Sequence, residues 1–262
     1  MVHLTGTYSD VDRSADPVGA AEWMDTMCDW PFIRAYKERT VDLLHVKPSA
    51  RLLDVGCGTG HDTRALATAA GPEGVAIGID ASAVMLKAAR TRGGSYLQAD
   101  ARMLPYDDGA FDGTRIDRVL QHVAGPGEAI GELVRVTRSG GRMVAIDPDQ
   151  ETLVSDLPDA ELLRKVKDFR RDLNLCNGSI GRQLPRLFRE AGLVDVECEA
   201  ATLVLTDPSD AFGFATWPRL MHAEGLFADD ELARWEAAVD AAVARGDFLY
   251  AVTFFIASGT KP

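Results

Sequence analysis

The chain has 262 residues, of which 46% are hydrophobic, so it is long enough to bury a sizeable core within one domain. Its formal net charge of −12 argues against nucleic acid as a partner, because binding to a phosphate backbone depends on clustered Lys and Arg. The longest apolar run, Phe248 to Ala257, is too short to span a bilayer, and no cationic segment followed by an apolar one stands near Met1. We therefore expect a cytoplasmic protein without a membrane anchor. Four cysteines without close pairing or zinc spacing predict reduced thiols and no metal site.

Residues 1–47 are rich in aromatic and methionine side chains: Trp23, Met24, Met27, Trp30, Phe32 and Tyr36. Such side chains suit an apolar or aromatic small molecule that is held away from water. They would equally serve to pack a lid helix onto the core. We predict a helical N-terminal lid, and both uses of these side chains stay open.

The segment LLDVGCGTG, Leu52–Gly60, is the most informative motif of the chain. An apolar run ends at Asp54, glycines follow at alternate positions, and the alanine-rich segment from His61 to Ala70 has the composition of a helix. This order predicts a strand, a tight turn and a helix start. Glycines there allow positive φ and close approach of a ligand, and amides at the helix start are free to donate.

Such a turn suits either the pyrophosphate of a dinucleotide or the amino-acid end of a nucleoside cofactor. A carboxylate at Asp54, about 6 Å away, would repel a phosphate charge by roughly 3 kcal/mol at an effective dielectric near 20. It would attract an amine or a sulfonium instead. His61 stands where the dinucleotide fingerprint has its last glycine. Both features disfavour a nicotinamide-dependent oxidoreductase.

Four successive strand-like segments, 52–54, 74–80, 95–98 and 111–116, each lead to an aspartate: Asp54, Asp80, Asp100 and Asp117. Open α/β sheets bind their ligands at the carboxyl ends of the strands, so we expect these aspartates at one site. Asp80 is suited to accept hydrogen bonds from both ribose hydroxyls of a nucleoside. Aspartate also ends strands simply because it favours turns.

The alternation of strands and helices breaks at Pro148, and Leu162, Val166, Phe169 and Leu173 follow at helical spacing. We predict one domain with a cofactor-binding half over 48–147, a helical insertion outside the sheet over 148–181, and a C-terminal part over 182–262. That last part is predicted to hold a helix over 183–191, strands over 193–205 and 248–257, and a helical insertion over 207–247. Its longest helix is predicted to begin near Asp229 and to end at Gly246.

Eight cations lie in or near the insertion and would either recognise an anionic substrate or form solvated helix faces: Arg164, Lys165, Lys167, Arg170, Arg171, Arg182, Arg186 and Arg189.

The ordered motifs LLDVGCGTG, GIDAS, QADARMLPYDDGAFD, RVLQHV and ELVRVTRSGGRMVAID resemble the class I S-adenosylmethionine-dependent methyltransferases, in particular the small-molecule branch similar to ubiquinone/menaquinone methyltransferases. The resemblance covers roughly residues 50–147. It implies an α/β fold with a doubly wound, mostly parallel seven-stranded sheet of Rossmann-like type, helical lid insertions and an antiparallel last strand. It also implies S-adenosyl-L-methionine as the cofactor and S-adenosyl-L-homocysteine as its product.

By position, the resemblance implies that Gly56 and Gly58 lie against the methionine part of the cofactor and that Asp80 holds the ribose. Asp100 with Ala101 would border the adenine, and Asp117 would sit beside the methionine amino group. The full set of predicted cofactor-binding residues is Asp54, Gly56, Cys57, Gly58, Asp80, Ala81, Asp100, Ala101 and Asp117. Cys57 is interpreted as a small loop residue rather than a nucleophile.

Methyl transfer from a sulfonium is an in-line displacement, so the protein mainly aligns the acceptor and excludes water. A base is needed only for a hydroxyl, an acidic carbon or a protonated amine. His122 is the predicted catalytic residue, because it follows the fourth strand close to Asp117 and imidazole titrates near neutral pH. A role in lining the pocket or bracing the cofactor stays open.

The sequence thus predicts a methyltransferase for a small, apolar or aromatic metabolite, with methylation on oxygen, nitrogen or carbon left open. A monomer and a homodimer both remain possible. A binding protein or cyclase that keeps the cofactor without transferring a methyl group is the first alternative, since the motifs describe cofactor binding rather than chemistry.

Overall fold

The computed structural model describes residues 8, 10–210 and 212–262. Within them the strands are β1 (Arg51–Val55), β2 (Val75–Asp80), β3 (Ser95–Gln98), β4 (Phe111–Asp117), β5 (Thr137–Val154), β6 (Val194–Leu205) and β7 (Tyr250–Thr260). They form one sheet in the order β3-β2-β1-β4-β5-β7-β6. Pairs from β3 to β5 are parallel, whereas β7 is antiparallel to both β5 and β6. This confirms the predicted mostly parallel sheet and its antiparallel last strand.

The helices of the described residues are α1 (Pro17–Cys28), α2 (Pro31–Leu43), α3 (His61–Ala70), α4 (Ala83–Thr91), α5 (Pro126–Val136), α6 (Ala160–Asp168), α7 (Leu184–Glu190), α8 (Trp217–Ala223) and α9 (Asp229–Arg245). Helices α3 and α9 have the predicted bounds, and α9 ends where Gly246 takes a left-handed φ of 76°. None of these helices is long and apolar enough to cross a membrane. Residues 1–7 and 9 of the predicted lid, and residue 211 of the predicted insertion 207–247, lie outside the described residues.

The sheet is buried on both faces along its central strands, since β1 is buried from Leu52 to Val55 and β4 is buried at nearly every position. Neighbouring residues of a strand point to opposite faces. Accordingly Leu52 belongs to an apolar cluster that also contains residues of α2 and α9, while Leu53 belongs to a second cluster that contains residues of α5 and α7. Strands buried on both faces are typical of parallel sheets covered by helices on both sides.

The predicted break at Pro148 is wrong, since β5 continues to Val154. Pro148 lies opposite Phe254 and Asp149 opposite Thr253 in the antiparallel pair with β7. The other neighbour, β4, ends at Asp117, opposite Ile146. Beyond that point no strand of the described residues pairs with this side of β5, so a proline without an N–H is tolerated there.

The helical segment after Ala160 differs from the prediction in its last turn. Leu162, Val166 and Phe169 are buried as predicted, but Leu173 is 46% exposed. Residues Phe169–Asn174 form a π-helical turn, in which hydrogen bonds join residues five apart rather than four. The wider turn brings Asn174, which is 4% exposed, into the inward position that the regular spacing gave to Leu173.

Candidate active site

A cavity of about 670 Å³ opens at the carboxyl ends of β1, β2 and β4. The order of the strands reverses between β1 and β4, since β2 and β3 lie on one side of β1 and the later strands on the other. Ligands of open α/β sheets bind at this kind of reversal. The cavity has the size of pockets that hold small molecules.

The glycine loop lies at the edge of this cavity in the predicted strand–turn–helix unit. Gly56, Gly58 and Gly60 have φ of 70°, 52° and 83°. A Cβ at Gly56 would overlap Cγ2 of Val119, and one at Gly58 would overlap Sδ of Met24. Glycine is therefore required by positive φ and by neighbouring side chains of the chain itself, not only by the approach of a ligand.

The amides of this loop are already in use, which the sequence did not predict. The N–H groups of Gly56 and Cys57 donate to the carbonyl of Ile79 at 2.7 and 2.9 Å. The N–H of Gly58 donates to Oδ2 of Asp80 at 2.8 Å. The amides left for a ligand are those of the first turn of α3, which have no intrahelical partner.

Asp80 connects the glycine loop to the start of α4. Its second oxygen, Oδ1, accepts from the N–H of Ser82 at 2.9 Å. Each carboxylate oxygen keeps a lone pair for a further donor, so two hydroxyls of one sugar fit this carboxylate. Burial raises the pKa of Asp80, and its hydrogen bonds to backbone N–H groups oppose that rise. The side chain lines the cavity, as do Ala81 and Ala101.

Asp100 also lines the cavity, at a more exposed position. Its carboxylate is held by Arg102, whose Nη2 lies 2.7 Å from Oδ2, and this contact lowers the pKa of Asp100. The Asp100–Arg102 pair forms the outer rim of the cavity on the side of β3.

Asp54 does not line the cavity, and the prediction that it contacts the cofactor needs correction. The side chain is buried behind the loop, where Oδ2 accepts from Thr63 at 2.8 Å and Oδ1 lies 3.1 Å from Nη1 of Arg115. Burial raises its pKa to about 6, against the lowering effect of Arg115. Gly58 is likewise absent from the cavity lining, because Met24 covers it.

Arg115 lies in the middle of β4 and is 1% exposed. It contacts three carboxylates: Asp54, Asp62 at 3.1 Å and Asp117 at 2.7 Å. Lys37 pairs with Asp62 and lies 3.8 Å from Asp117. Together with Arg118, which lies 3.5 Å from Asp117, three carboxylates and three cations thus form one network at the cavity. The signal for it in the sequence is a single arginine between two aspartates, Asp112 and Asp117, in a predicted inner strand.

Asp117 lines the cavity, as do Lys37 and Asp62 of the same network. Tyr36 donates to both of its oxygens at 3.3 Å, and Nε of Arg118 lies 3.5 Å from Oδ1. Arg118 itself has a left-handed φ of 55°, which is unusual for a residue other than glycine. Strain of this kind is concentrated at functional sites.

His122 lines the cavity beyond Asp117. Burial lowers the pKa of His122 to about 3, and the positive charges of Arg170 and Arg118 contribute to this effect. The imidazole is therefore neutral near neutral pH. Its Nδ1 is buried and has no hydrogen-bond partner among the described residues.

The predicted aromatic and methionine side chains divide between the cavity and the core. Trp23, Met24 and Met27 line the cavity, together with Phe212 and Trp217 from the C-terminal part. Phe32 and Tyr36 instead pack against Phe254 at ring-centroid distances of 5.3 and 5.6 Å. Of the eight cations in and near the insertion, Arg170 alone lines the cavity.

The α/β proteins that bind nucleotide and nucleoside cofactors have a doubly wound sheet, and their cofactor binds in a cavity where the strand order reverses. This chain has both features. Residues 53–145 match the family described as methyltransferase domain. An uncharacterized 37.1 kDa protein in transposon TN4556 of Streptomyces fradiae is 39% identical over 216 residues, which are 80% of this chain and 61% of that protein. A demethylmenaquinone methyltransferase of Bacillus cereus is 30% identical over 138 residues, which are 50% of this chain and 58% of that enzyme. The chain spans about three fifths of the length of these curated relatives.

Among solved structures, the YcgJ protein of Bacillus subtilis is similar with a TM-score of 0.60 at 18% identity, over 87% of this chain and 98% of that one. This likeness concerns the fold. The family match shows a methyltransferase domain over residues 53–145, and the strand order and ordered motifs are those of the class I S-adenosylmethionine-dependent methyltransferases. S-adenosylmethionine is the cofactor of that family.

Proposed function

We propose that the chain binds S-adenosylmethionine in this cavity and transfers its methyl group to a small molecule at the far end. One observation carries the proposal: a single cavity is lined by Asp80 and the glycine loop and also by His122 and Trp217. The residues proposed to contact the cofactor are the cavity-lining members of the predicted set: Gly56, Cys57, Asp80, Ala81, Asp100, Ala101 and Asp117.

When bound, S-adenosylmethionine supplies a methyl group on a positively charged sulfur, and the electron pair of the broken S–C bond leaves with S-adenosylhomocysteine. The chain holds the acceptor in line and keeps water away. Apolar walls at Trp23, Met27 and Trp217 favour that exclusion. The proposed role of His122 as a base requires its pKa to rise from about 3 when the acceptor binds, because an efficient base titrates near the working pH.

The proposed acceptor is a small, apolar or aromatic metabolite, because cofactor and acceptor share about 670 Å³ and the far wall contains Phe212, Trp217 and Tyr250. The proposed location is the cytoplasm, which fits four cysteines that form no disulfide in the described part of the chain.

Calorimetry with S-adenosylhomocysteine tests the cofactor site. We expect Asp80→Ala to weaken binding by about 1–3 kcal/mol, because the charged hydrogen bonds to the ribose are lost. Asp107→Ala, at an exposed position outside the cavity, is the matched control and is expected to bind as the unchanged chain does. Equal affinity of both variants would remove Asp80 from the site.

Incubation with methyl-labelled cofactor and a metabolite library tests the transfer itself. A labelled product supports the proposal. Tight binding of S-adenosylhomocysteine without any labelled product would instead favour a protein that keeps the cofactor as a binding protein or a cyclase.

A further inference from the structure

Six buried polar side-chain atoms have no hydrogen-bond partner in the part of the chain that the structure describes, and five of them belong to cavity-lining residues: Arg118 Nε, Gln121 Oε1, His122 Nδ1, Gln150 Oε1 and Arg170 Nε. Unpaired buried groups are costly and rare in folded proteins. Arg118, Gln121 and His122 follow β4, while Gln150 lies within β5 and Arg170 follows it. The proposed ribose and adenine contacts instead lie at the ends of β2 and β3. The end of the cavity away from the nucleoside is therefore polar as well as aromatic.

Arg170 differs from the other buried arginines in having no acidic partner. Arg115 and Arg118 both contact Asp117, at 2.7 and 3.5 Å. No carboxylate of the described residues lies within 4.0 Å of Arg170, and none of the remaining residues, 1–7, 9 and 211, is Asp or Glu. Burial accordingly lowers the pKa of Arg170 to about 10.

The guanidinium of Arg170 is held in place by neutral groups. Its Nη1 donates to Asn174, the residue that the π-helical turn brings inward. Its Cζ lies 4.8 Å from the centroid of the Trp217 ring. The edge formed by Nε and Nη2 makes no hydrogen bond within the described residues.

Arginine binds carboxylates side-on through this same edge, since Nε and Nη2 match the two oxygens. Arg39 binds Glu199 in this way, with Nε 2.9 Å from Oε2 and Nη2 on Oε1. Arg245 binds Asp247 in the same way, with Nε 2.7 Å from Oδ2 and Nη2 3.1 Å from Oδ1. In Arg170 the Nε–Nη2 edge has no partner among the described residues, so it can bind a ligand beside the ring of Trp217.

The geometry points to an aromatic acid as the acceptor, with its carboxylate on the Nε–Nη2 edge of Arg170 and its ring near Trp217. This inference rests on the proposed function, because it names the acceptor class for the same cavity. The recognition is local, since the chain as a whole carries a net charge of −12 and repels anions at long range. An acid bound there would also offset the positive charge of Arg170, which adds to the effect of burial in lowering the pKa of His122.

Calorimetry with benzoate, salicylate and cinnamate, each beside its primary amide, tests the inference. The protein is used both unloaded and saturated with S-adenosylhomocysteine. We expect at least one acid to bind the loaded protein about tenfold more tightly than its amide. Arg170→Met should abolish that preference, and Arg170→Lys should retain part of it because the charge stays.

Arg186→Met is the matched control, because Arg186 is exposed on α7, pairs with Glu190 and lies outside the cavity. It should keep the full preference for the acid. Arg170→Met should bind S-adenosylhomocysteine within about twofold of the unchanged chain. Its melting temperature should not fall, since replacing an unpaired buried charge by an apolar side chain of similar length removes a desolvation cost.

The inference is overturned if no acid binds, if amides bind as well as their acids, or if Arg170→Met keeps the preference. It is also overturned if Arg170→Met weakens S-adenosylhomocysteine binding, because Arg170 would then hold the cofactor. Failure of the unchanged chain to bind S-adenosylhomocysteine would overturn the proposed function instead. The measurements on the unloaded protein would then still decide whether Arg170 selects an acid.

Discussion

Arg115 shows how one buried side chain supports the floor of the cavity. Its guanidinium contacts Asp54, Asp62 and Asp117, so its removal leaves three carboxylates close together with Lys37 and Arg118 as the neighbouring cations. We expect Arg115→Met to destabilise the protein by about 3–5 kcal/mol, as does breaking a buried ion pair by removing one partner. Denaturant unfolding measures this change.

The control is Arg138→Met, which removes an exposed arginine paired with Asp112 at 2.7 Å. Pairs of this kind contribute at most about 1 kcal/mol. Equal losses in the two variants would contradict the role given to Arg115.

The predictions for Asp54 and Asp80 show how far the position of a single residue could be inferred from the sequence. Asp80 was predicted correctly to lie at the cavity, because the end of a parallel strand fixes the position of its last side chain. Asp54 was expected to act on a ligand through its charge, but Arg115 balances that charge behind the loop. Asp54 and Arg115 lie on neighbouring strands but are 61 residues apart in the chain, so no local sequence pattern indicates that they pair.

His122 should make the stability of the protein depend on pH. Its pKa is about 3 in the folded chain and about 6.5 in an unfolded one. The unfolded state therefore takes up the proton first, so the contribution of a neutral His122 is fully present above pH 6.5 and is lost as pH falls towards 3. We expect a loss of about 1–2 kcal/mol between pH 7 and pH 5 that is missing in His122→Gln.

Urea unfolding at several pH values checks this expectation. His45→Asn, which removes an exposed histidine, is the control and should keep the dependence of the unchanged chain. An identical pH dependence in His122→Gln would show that the imidazole is not shielded from water.

At the scale of elements, the glycine loop is held between α1 and the segment after β4. We expect Gly56→Ala to lose about 2–5 kcal/mol of stability, because positive φ is strained for alanine and the new Cβ overlaps Val119. The double variant Gly56→Ala, Val119→Ala should recover part of this loss by removing the overlap. Denaturant unfolding measures both changes.

Gly131→Ala is the matched control, since Gly131 lies within α5 and its Cβ would meet nothing within 4 Å. That variant should gain up to about 1 kcal/mol from higher helix propensity. A double variant no more stable than Gly56→Ala would mean that φ strain alone sets the cost.

The elements around the cofactor half were predicted well because each is specified locally. Strands β1 to β4 and helix α3 follow from apolar runs, glycines and aspartates within a few residues of one another. The continuation of β5 past Pro148 depends on β7, about a hundred residues later in the chain. The π-helical turn that brings in Asn174 breaks the regular spacing from which the helix was predicted.

At the scale of the whole molecule, the cofactor and the fold should stabilise each other. The proposed contacts come from the loop after β1, the ends of β2 and β4 and the segment after β3, so a ligand bound to all of them is lost when the sheet unfolds. S-adenosylhomocysteine at a hundred times its Kd should add about 2.7 kcal/mol of stability. For a chain of this size that corresponds to a rise in melting temperature of roughly 5–10 °C.

A thermal-shift comparison with NADH separates this cofactor from a nicotinamide one. S-adenosylhomocysteine should raise the melting temperature of the unchanged chain and of Asp107→Ala, but much less that of Asp80→Ala, whose carboxylate links the glycine loop to α4. NADH should have no comparable effect, since His61 replaces the last glycine of the dinucleotide fingerprint. Stabilisation by NADH but not by S-adenosylhomocysteine would contradict the proposed function, because a ligand that binds only the folded state must raise its stability.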